Sequence, residues 1–118
     1  MKYILVVVAV FIASLAIAEA TDLHKGGTAS DVAAIKKVVS AANHGAVTDW
    51  FIAIDGNNAV ASWAQGPGWG ESDGFVKTNG MWAMTCRDNA KGHFGDCKMS
   101  AATYKRLINV VNHLGQNQ

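Results

Sequence analysis

The chain of 118 residues contains only one proline and two cysteines, and charged residues make up 16% of it. Ten Lys and Arg residues against nine Asp and Glu residues give a formal net charge of +1. Because there is no basic stripe and no polybasic run, neither nucleic acid nor an anionic membrane surface is an expected partner. No Asn-x-Ser/Thr sequon is present, which excludes N-glycosylation.

Several catalytic and metal-binding motifs are missing as well. The chain has no G-x-S-x-G elbow and no phosphate-binding P-loop, so it lacks the signatures of an α/β-hydrolase and of a nucleotide-binding enzyme. The spacings H-x-x-x-H, C-x-x-C and H-E-x-x-H do not occur either, so no ready-made zinc motif is present. These absences favour a protein that is not an enzyme.

The first twenty residues have the pattern of an export signal. Lys2 gives a positive start, the next fifteen residues are almost entirely apolar, and Ala18-Glu19-Ala20 matches a small-x-small cleavage site. We therefore expect residues 1–20 to be removed, and the mature chain to reach the periplasm or the extracellular space without a membrane anchor.

Both cysteines, Cys86 and Cys97, follow this leader. In an oxidising compartment an even number of cysteines favours a disulfide. Such a bond would close a short loop and contribute about 2–3 kcal/mol to stability. Two free thiols, or two thiolates bound to a metal, are the alternatives.

Hydrophobic periodicity predicts a helix at each end of the mature chain. The segment TASDVAAIKKVVSAANHG, 28–45, places apolar residues at helical spacing, with Thr28 or Ser30 as its N-cap. The segment SAATYKRLINVVNHL, 100–114, carries a second apolar stripe. Residues 21–27 are polar and contain glycine, which predicts a flexible arm before a single domain.

Four segments between the helices are predicted to be strands, because they are rich in β-branched and aromatic residues. Asp55-Gly56-Asn57-Asn58 separates the first two, and Asn79-Gly80, which suits a type I′ turn, separates the last two. The order α-β-β-β-β-α predicts an α+β fold in two layers, with both helices against a four-stranded antiparallel sheet. The predicted strands are 47–54, 59–65, 75–78 and 81–87, followed by a polar loop at 88–99.

The glycine-rich segment GPGWGESDG, 66–74, is the candidate binding loop. An exposed tryptophan between glycines would anchor an interface, whereas one folded back would cover the core, and the sequence favours neither. Glu71 and Asp73 are interpreted as solvated loop charges in preference to the acid and base of a glycosidase. The predicted ligand-binding residues are Pro67, Gly68, Trp69, Glu71 and Asp73.

Thioether, thiolate and imidazole side chains suit copper, especially Cu(I). His93 and Met99, near a cysteine, are the candidate ligands, although a disulfide would remove the thiolate. In a regular strand over 81–87, Met84 and Cys86 would lie on one face and Met81 on the other, so both methionines cannot serve one site.

The remaining histidines and tryptophans have ordinary structural interpretations. His44 and His113 each lie near the predicted end of a helix, where an imidazole can interact with the last carbonyl groups. The tryptophans of the predicted strands are expected to bury their rings and to find a partner for the indole N–H. These strand tryptophans are Trp50, Trp63 and Trp82.

The pattern W…AIDGNNAVASWAQG…G…GFVKTNGMWAMTC, within residues 47–86, resembles small exported bacterial proteins described as copper-uptake-system-associated. In those proteins a helix precedes a similar set of strands. The resemblance implies an exported location and a helix-and-strand fold. It also implies an alternative function, that of a periplasmic copper-handling accessory protein with copper as cofactor.

The function favoured by these features is that of an exported, non-catalytic binding protein without a cofactor. It would engage a protein or a small ligand through the 66–74 loop, and an enzyme inhibitor is one specific form of this hypothesis. Copper handling is the first alternative, and a small secreted hydrolase is the second.

Overall fold

A computed structural model describes residues 21–43, 47–64 and 70–116. These residues form two helices and a six-stranded sheet, which confirms the α+β class. The predicted leader, 1–20, lies outside them, and none of the described helices is long and apolar enough to cross a membrane. In chain order the elements are β1 (Asp22–Lys25), α1 (Ala29–Ala42), β2 (Thr48–Asp55), β3 (Asn58–Ala64), β4 (Gly70–Thr78), β5 (Met81–Asn89), β6 (Gly92–Phe94) and α2 (Ala101–Gln116).

The sheet is larger than predicted and mixed in direction. Its strands are arranged in chain order from β1 to β6, with β1 parallel to β2 and every other pair antiparallel. Four residues of the predicted arm 21–27 form β1, and part of the predicted loop 88–99 forms β6. Both edge strands are short and largely exposed, so their pairing rests on backbone hydrogen bonds and leaves no hydrophobic pattern in the sequence.

The two helices cover opposite faces of the sheet, so the prediction of two layers is wrong. On one face, Ile35 and Val39 of α1 pack in a cluster with Ile52 of β2. On the other, Leu107 and Val111 of α2 pack with residues of β2 and β3. Successive residues of a strand point to opposite faces, and β2 is apolar on both. A sheet with two apolar faces needs a cover on each.

Helix α1 begins with a capping box. The Thr28 hydroxyl accepts a hydrogen bond from the Asp31 amide, and the Thr28 amide donates to Asp31 Oδ2, both at 3.1 Å. Asp31 Oδ1 also accepts from Trp82 Nε1 and Lys77 Nζ, each at 3.0 Å. The bonds from Trp82, Lys77 and Thr28 hold the pKa of Asp31 well below its usual range. One carboxylate thus caps α1 and ties it to the β4–β5 hairpin.

The other predicted helix and both turns are present. Ser100 precedes α2 and accepts from the Thr103 amide through its hydroxyl at 3.1 Å, and His113 lies in the last turn. Gly56 turns β2 into β3, and Asn79 and Gly80 both have positive φ, 52° and 77°, as a type I′ turn requires. His44 lies outside the described residues.

A β-bulge changes the pattern of β5. The register between β4 and β5 shifts at Gly74 and Phe75, so that Phe75 pairs with Met84 but Gly74 pairs with Cys86. Because one extra residue reverses the alternation of faces, Met84 packs on the α1 side, whereas Cys86 lies on the α2 side beside Tyr104. The prediction that Met84 and Cys86 share a face is therefore wrong.

Candidate functional site

The register of β4 and β5 places four polar side chains together on the α1 side of the sheet. Asp73 pairs with Arg87 across the two strands. Glu71 lies two residues before Asp73 in β4, and Asn89 lies two residues after Arg87 in β5. Because side chains two residues apart share a face, all four point the same way. We call Glu71, Asp73, Arg87 and Asn89 the carboxylate cluster.

Arg87 and Asn89 hold Glu71 from two sides. The Arg87 guanidinium contacts Glu71 Oε2 through Nε at 2.7 Å and through Nη2 at 2.5 Å. Asn89 Nδ2 donates to Glu71 Oε1 at 3.2 Å. The Glu71 side chain is 1% exposed and that of Arg87 is 37% exposed. The ion pair therefore has a buried carboxylate and a guanidinium that reaches the surface.

Asp73 lies deeper than Glu71 and is fully buried. Arg87 Nε is 3.4 Å from Asp73 Oδ2. As a carboxylate, Asp73 would accept no hydrogen bond of normal geometry from the described residues, whereas the protonated acid donates one to Glu71. Trp63, which pairs with Glu71 on the neighbouring strand, has a buried indole N–H that also lacks a partner among these residues. Unpaired buried polar groups are costly, and they concentrate at functional sites.

The two carboxyl groups differ in protonation. Burial, reinforced by the neighbouring Glu71 carboxylate, raises the pKa of Asp73 to about 8. Burial also opposes ionisation of Glu71, but hydrogen bonds from Asp73, Arg87 and Asn89 outweigh it and lower the pKa of Glu71. Near neutral pH the cluster therefore holds a protonated Asp73 and an ionised Glu71, the combination on which acid–base catalysis depends. Because Asp73 has no exposed surface, a substrate does not reach it in this conformation.

Stability is expected to fall as the pH rises from about 4 towards 8, because the folded chain retains the Asp73 proton that the unfolded chain has released. Asp73→Asn preserves the shape without a titrating proton and should flatten this part of the stability profile. Urea unfolding at about pH 5 and pH 8 measures the difference. Glu71 contributes in the opposite direction, but only at more acidic pH. A variant that kept the wild-type slope would contradict this assignment.

A pocket of about 250 Å³ opens over the carboxylate cluster. Glu71, Arg87 and Asn89 line it together with Ala90 and the exposed Lys91. Glu71 is balanced by Arg87, and Asp73 is protonated at neutral pH, so Lys91 leaves the pocket with a net positive charge. The pocket is suited to an acidic group.

The predicted ligand-binding residues have different outcomes. Glu71 and Asp73 lie side by side, but they are buried in β4, so their interpretation as solvated loop charges is wrong. Pro67, Gly68 and Trp69 lie outside the described residues. Sequence reasoning missed Arg87 and Asn89. Their spacing of two residues matches that of Glu71 and Asp73, but it shows only that each pair shares a face of its own strand.

The opposite side of the same strands carries the disulfide. Cys86 and Cys97 are bonded, with an S–S distance of 2.02 Å, as predicted. The bond rests on Gly74, where a Cβ atom would lie 2.6 Å from Cys86 Sγ. Tyr104 of α2 borders it, and burial, followed by the charges of Asp88 and Asp73, raises the pKa of Tyr104 to about 12.

The predicted metal ligands separate into two environments. His93 is exposed and lies against Cys97, with Nε2 3.7 Å from Sγ. Met99 instead packs against the apolar cluster beneath α2. The structure thus joins His93 to the cysteines and assigns Met99 to hydrophobic packing.

The three strand tryptophans are buried as predicted, with exposed fractions of 9% for Trp50, 1% for Trp63 and 7% for Trp82. Trp50 and Trp63 are in ring contact, with centroids 6.3 Å apart. They form part of the apolar cluster shared with α1 and border Glu71 through the pairing of Trp63. Comparison of the chain with protein-family models, curated proteins and solved structures gave no match.

Proposed function

We propose that this chain is an exported, non-catalytic binding domain whose pocket over the carboxylate cluster takes up an acidic group of a protein or small ligand. The observation that carries the proposal is the state of Arg87. Its guanidinium is fixed by the buried Glu71, yet its side chain is 37% exposed and lines the pocket. An arginine held in this way loses little freedom when it binds a carboxylate, so more of the interaction energy appears as affinity.

The unused part of the guanidinium supports this role. Glu71 engages Nε and one Nη of Arg87, a contact that does not use all five N–H donors of the guanidinium. Lys91 adds a second cation at the rim of the same pocket. A carboxylate placed between the two would be held by one fixed donor and one flexible donor.

The predicted loop remains part of the proposal. Residues 65–69 connect Ala64 to Gly70, and these two residues are paired at the end of β3 and β4. The connection that contains Trp69 therefore starts and finishes next to Glu71. We propose that a partner protein seated in the pocket also contacts Trp69. An enzyme with acidic residues in its cleft is one such partner, which is the inhibitor form of the hypothesis.

Export is the second element of the proposal, and two features support it. The leader pattern at 1–20 precedes the described chain. The bond between Cys86 and Cys97 also suits the periplasm or the extracellular space, because cytosolic reductants disfavour structural disulfides.

NMR titration of the isotope-labelled protein with a hexaglutamate peptide tests the pocket. We expect saturable shifts at the amides of residues 87–91 and at the side chains of Arg87 and Asn89. Lys91→Ala should weaken binding by about two- to fivefold, the value of one exposed ion pair. Lys105→Ala, which removes an exposed cation from α2, is the matched control and should leave affinity unchanged.

A hexalysine peptide provides the charge-reversed control. Equal shifts with both peptides, or no saturation with hexaglutamate, would refute recognition of an acidic group in the pocket. Trp69→Ala in the same titration reports on the connecting segment. Loss of affinity with unchanged pocket shifts would place Trp69 in the binding surface, whereas wild-type affinity would remove it from the proposal.

A further inference from the structure

On the α2 side of the sheet, an imidazole lies against the disulfide. His93 Nε2 is 3.7 Å from Cys97 Sγ. One ligand atom each from Cys86, His93 and Cys97 can be chosen so that all three lie within 4.8 Å of one another. Two sulfur atoms and one imidazole nitrogen are the donor set of soft and borderline d¹⁰ cations.

The His93 ring is oriented by two neighbours. Its Nδ1 lies 3.8 Å from Asp88 Oδ2, on the side of the ring away from Cys97. The Tyr104 ring packs edge-on against the His93 ring, with centroids 5.9 Å apart. The Tyr104 hydroxyl is 3.5 Å from the same Asp88 oxygen. At 3.8 Å this carboxylate is near Nδ1 without a hydrogen bond; a carboxylate that accepts from Nδ1 leaves Nε2 free as a ligand. Asp88 and Tyr104 thus surround the His93 ring as the residues behind a metal ligand do.

The two cysteines make contacts with the sheet besides the bond between them. Cys86 lies in β5 above Gly74 of β4, where a side chain would collide with its sulfur. The backbone carbonyl of Cys97 accepts a hydrogen bond from the Thr85 hydroxyl at 2.7 Å. These contacts do not involve the sulfur–sulfur bond, so in the folded chain they favour the present positions of both residues after that bond opens. His93 is the exposed member of the group and gives access from solvent.

We propose that this group is a redox-gated metal site: after reduction, Cys86, Cys97 and His93 bind one d¹⁰ cation, Zn²⁺ or Cu⁺. A dithiol reductant transfers two electrons and two protons, becomes a disulfide itself, and leaves Cys86 and Cys97 as thiols. Binding of the cation displaces these two thiol protons to solvent. A tetrahedral site with metal–sulfur bonds of about 2.3 Å places its sulfurs roughly 3.7 Å apart, a separation that the opened bond permits. The fourth position of a tetrahedral ion stays open to water or to a transferred ligand.

This inference does not depend on the acidic-group pocket, since the two sites lie on opposite faces of β4 and β5. It gives the disulfide a second role beside stabilisation. In oxidised protein the sulfurs are unavailable as thiolates, so the metal is bound only where a dithiol reaches the chain.

Cobalt, a spectroscopic substitute for Zn²⁺, tests the site. The protein is reduced with an immobilised phosphine, separated from it without oxygen, and titrated with Co²⁺. We expect a thiolate-to-cobalt charge-transfer band that saturates at one ion per chain and disappears when Zn²⁺ is added. Oxidised protein should show no band. A parallel titration with Cu⁺ held by a competing chelator distinguishes the two natural cations.

Variants assign the third ligand. His93→Ala, which removes a ligand, should weaken cobalt binding at least tenfold, and Asp88→Ala, which removes the carboxylate near the imidazole, should weaken it by up to about tenfold. His113→Ala, an exposed histidine in α2, is the matched control and should bind as the wild type does. Wild-type affinity in His93→Ala would overturn the assignment.

Circular dichroism keeps the test decisive if reduction unfolds the chain. Folded, reduced protein without a charge-transfer band would refute the site. If the reduced chain is unfolded, one equivalent of Zn²⁺ should restore the folded spectrum in the wild type and not in His93→Ala. Absence of that recovery would refute the site equally.

Discussion

Replacing Arg87 by methionine is expected to lower the free energy of unfolding by about 3 kcal/mol at neutral pH, because it leaves the Glu71 carboxylate buried without its counter-ion. The partly exposed guanidinium places the effect at the lower end of the range for broken buried pairs. Urea unfolding with an unchanged slope against denaturant measures it. The loss should shrink under acidic conditions, where Glu71 can take up a proton.

Two controls separate burial from simple loss of charge. Arg106→Met removes the ion pair with Asp55, in which both side chains are more than half exposed, and should cost less than about 1 kcal/mol. The double variant Arg87→Met with Glu71→Gln removes both charges and should recover part of the loss. If Arg87→Met and Arg106→Met cost the same, the buried carboxylate is not what Arg87 stabilises.

Replacing both Cys86 and Cys97 by alanine is expected to cost about 2–3 kcal/mol, since the bond joins residues 11 positions apart. Gly74→Ala in the wild type should cost about 1–3 kcal/mol, because its Cβ would lie 2.6 Å from Cys86 Sγ and force the sulfur to move. In the cysteine-free variant that sulfur is absent, so Gly74→Ala should become neutral or stabilising.

This pair of changes forms a double-mutant cycle, and its coupling energy isolates the contact between Gly74 and the disulfide. Gly115→Ala is the control, because a Cβ at that position of α2 meets nothing within 4 Å and should stabilise by about 0.5–1 kcal/mol in both backgrounds. An equal cost of Gly74→Ala with and without the cysteines would show that glycine is needed there for another reason.

The elements with strong local signals could be predicted from the sequence. Both helices follow from their apolar periodicity, and the Asn79-Gly80 turn follows from its need for positive φ. The two covered faces of the sheet also had a signal, since WFIAI in β2 is a continuous apolar run and not an alternating one. The two-layer prediction is wrong because a continuous apolar run indicates a strand buried on both faces, not on one.

The candidate site could be predicted only in part. Counting back from the Asn79-Gly80 turn without a bulge puts Cys86 opposite Asp73, whereas the bulge puts Arg87 there. A bulge depends on how the two strands pack and twist together, and no local sequence pattern identifies this one. The single extra residue places Arg87 beside the carboxylates and Cys86 on the opposite face. A prediction that treats β5 as a regular strand therefore misses both candidate sites.

The arrangement of the strands in chain order has a consequence for how the molecule is made. A chain that is synthesised from its N-terminus can add each strand from β3 to β6 to an edge that has already emerged, because each partner is the preceding strand. Strand β1 is the exception, because its partner β2 emerges only after α1. Helix α2 follows all six strands and covers the second face, so the apolar side of the growing sheet stays open to chaperones until α2 has emerged.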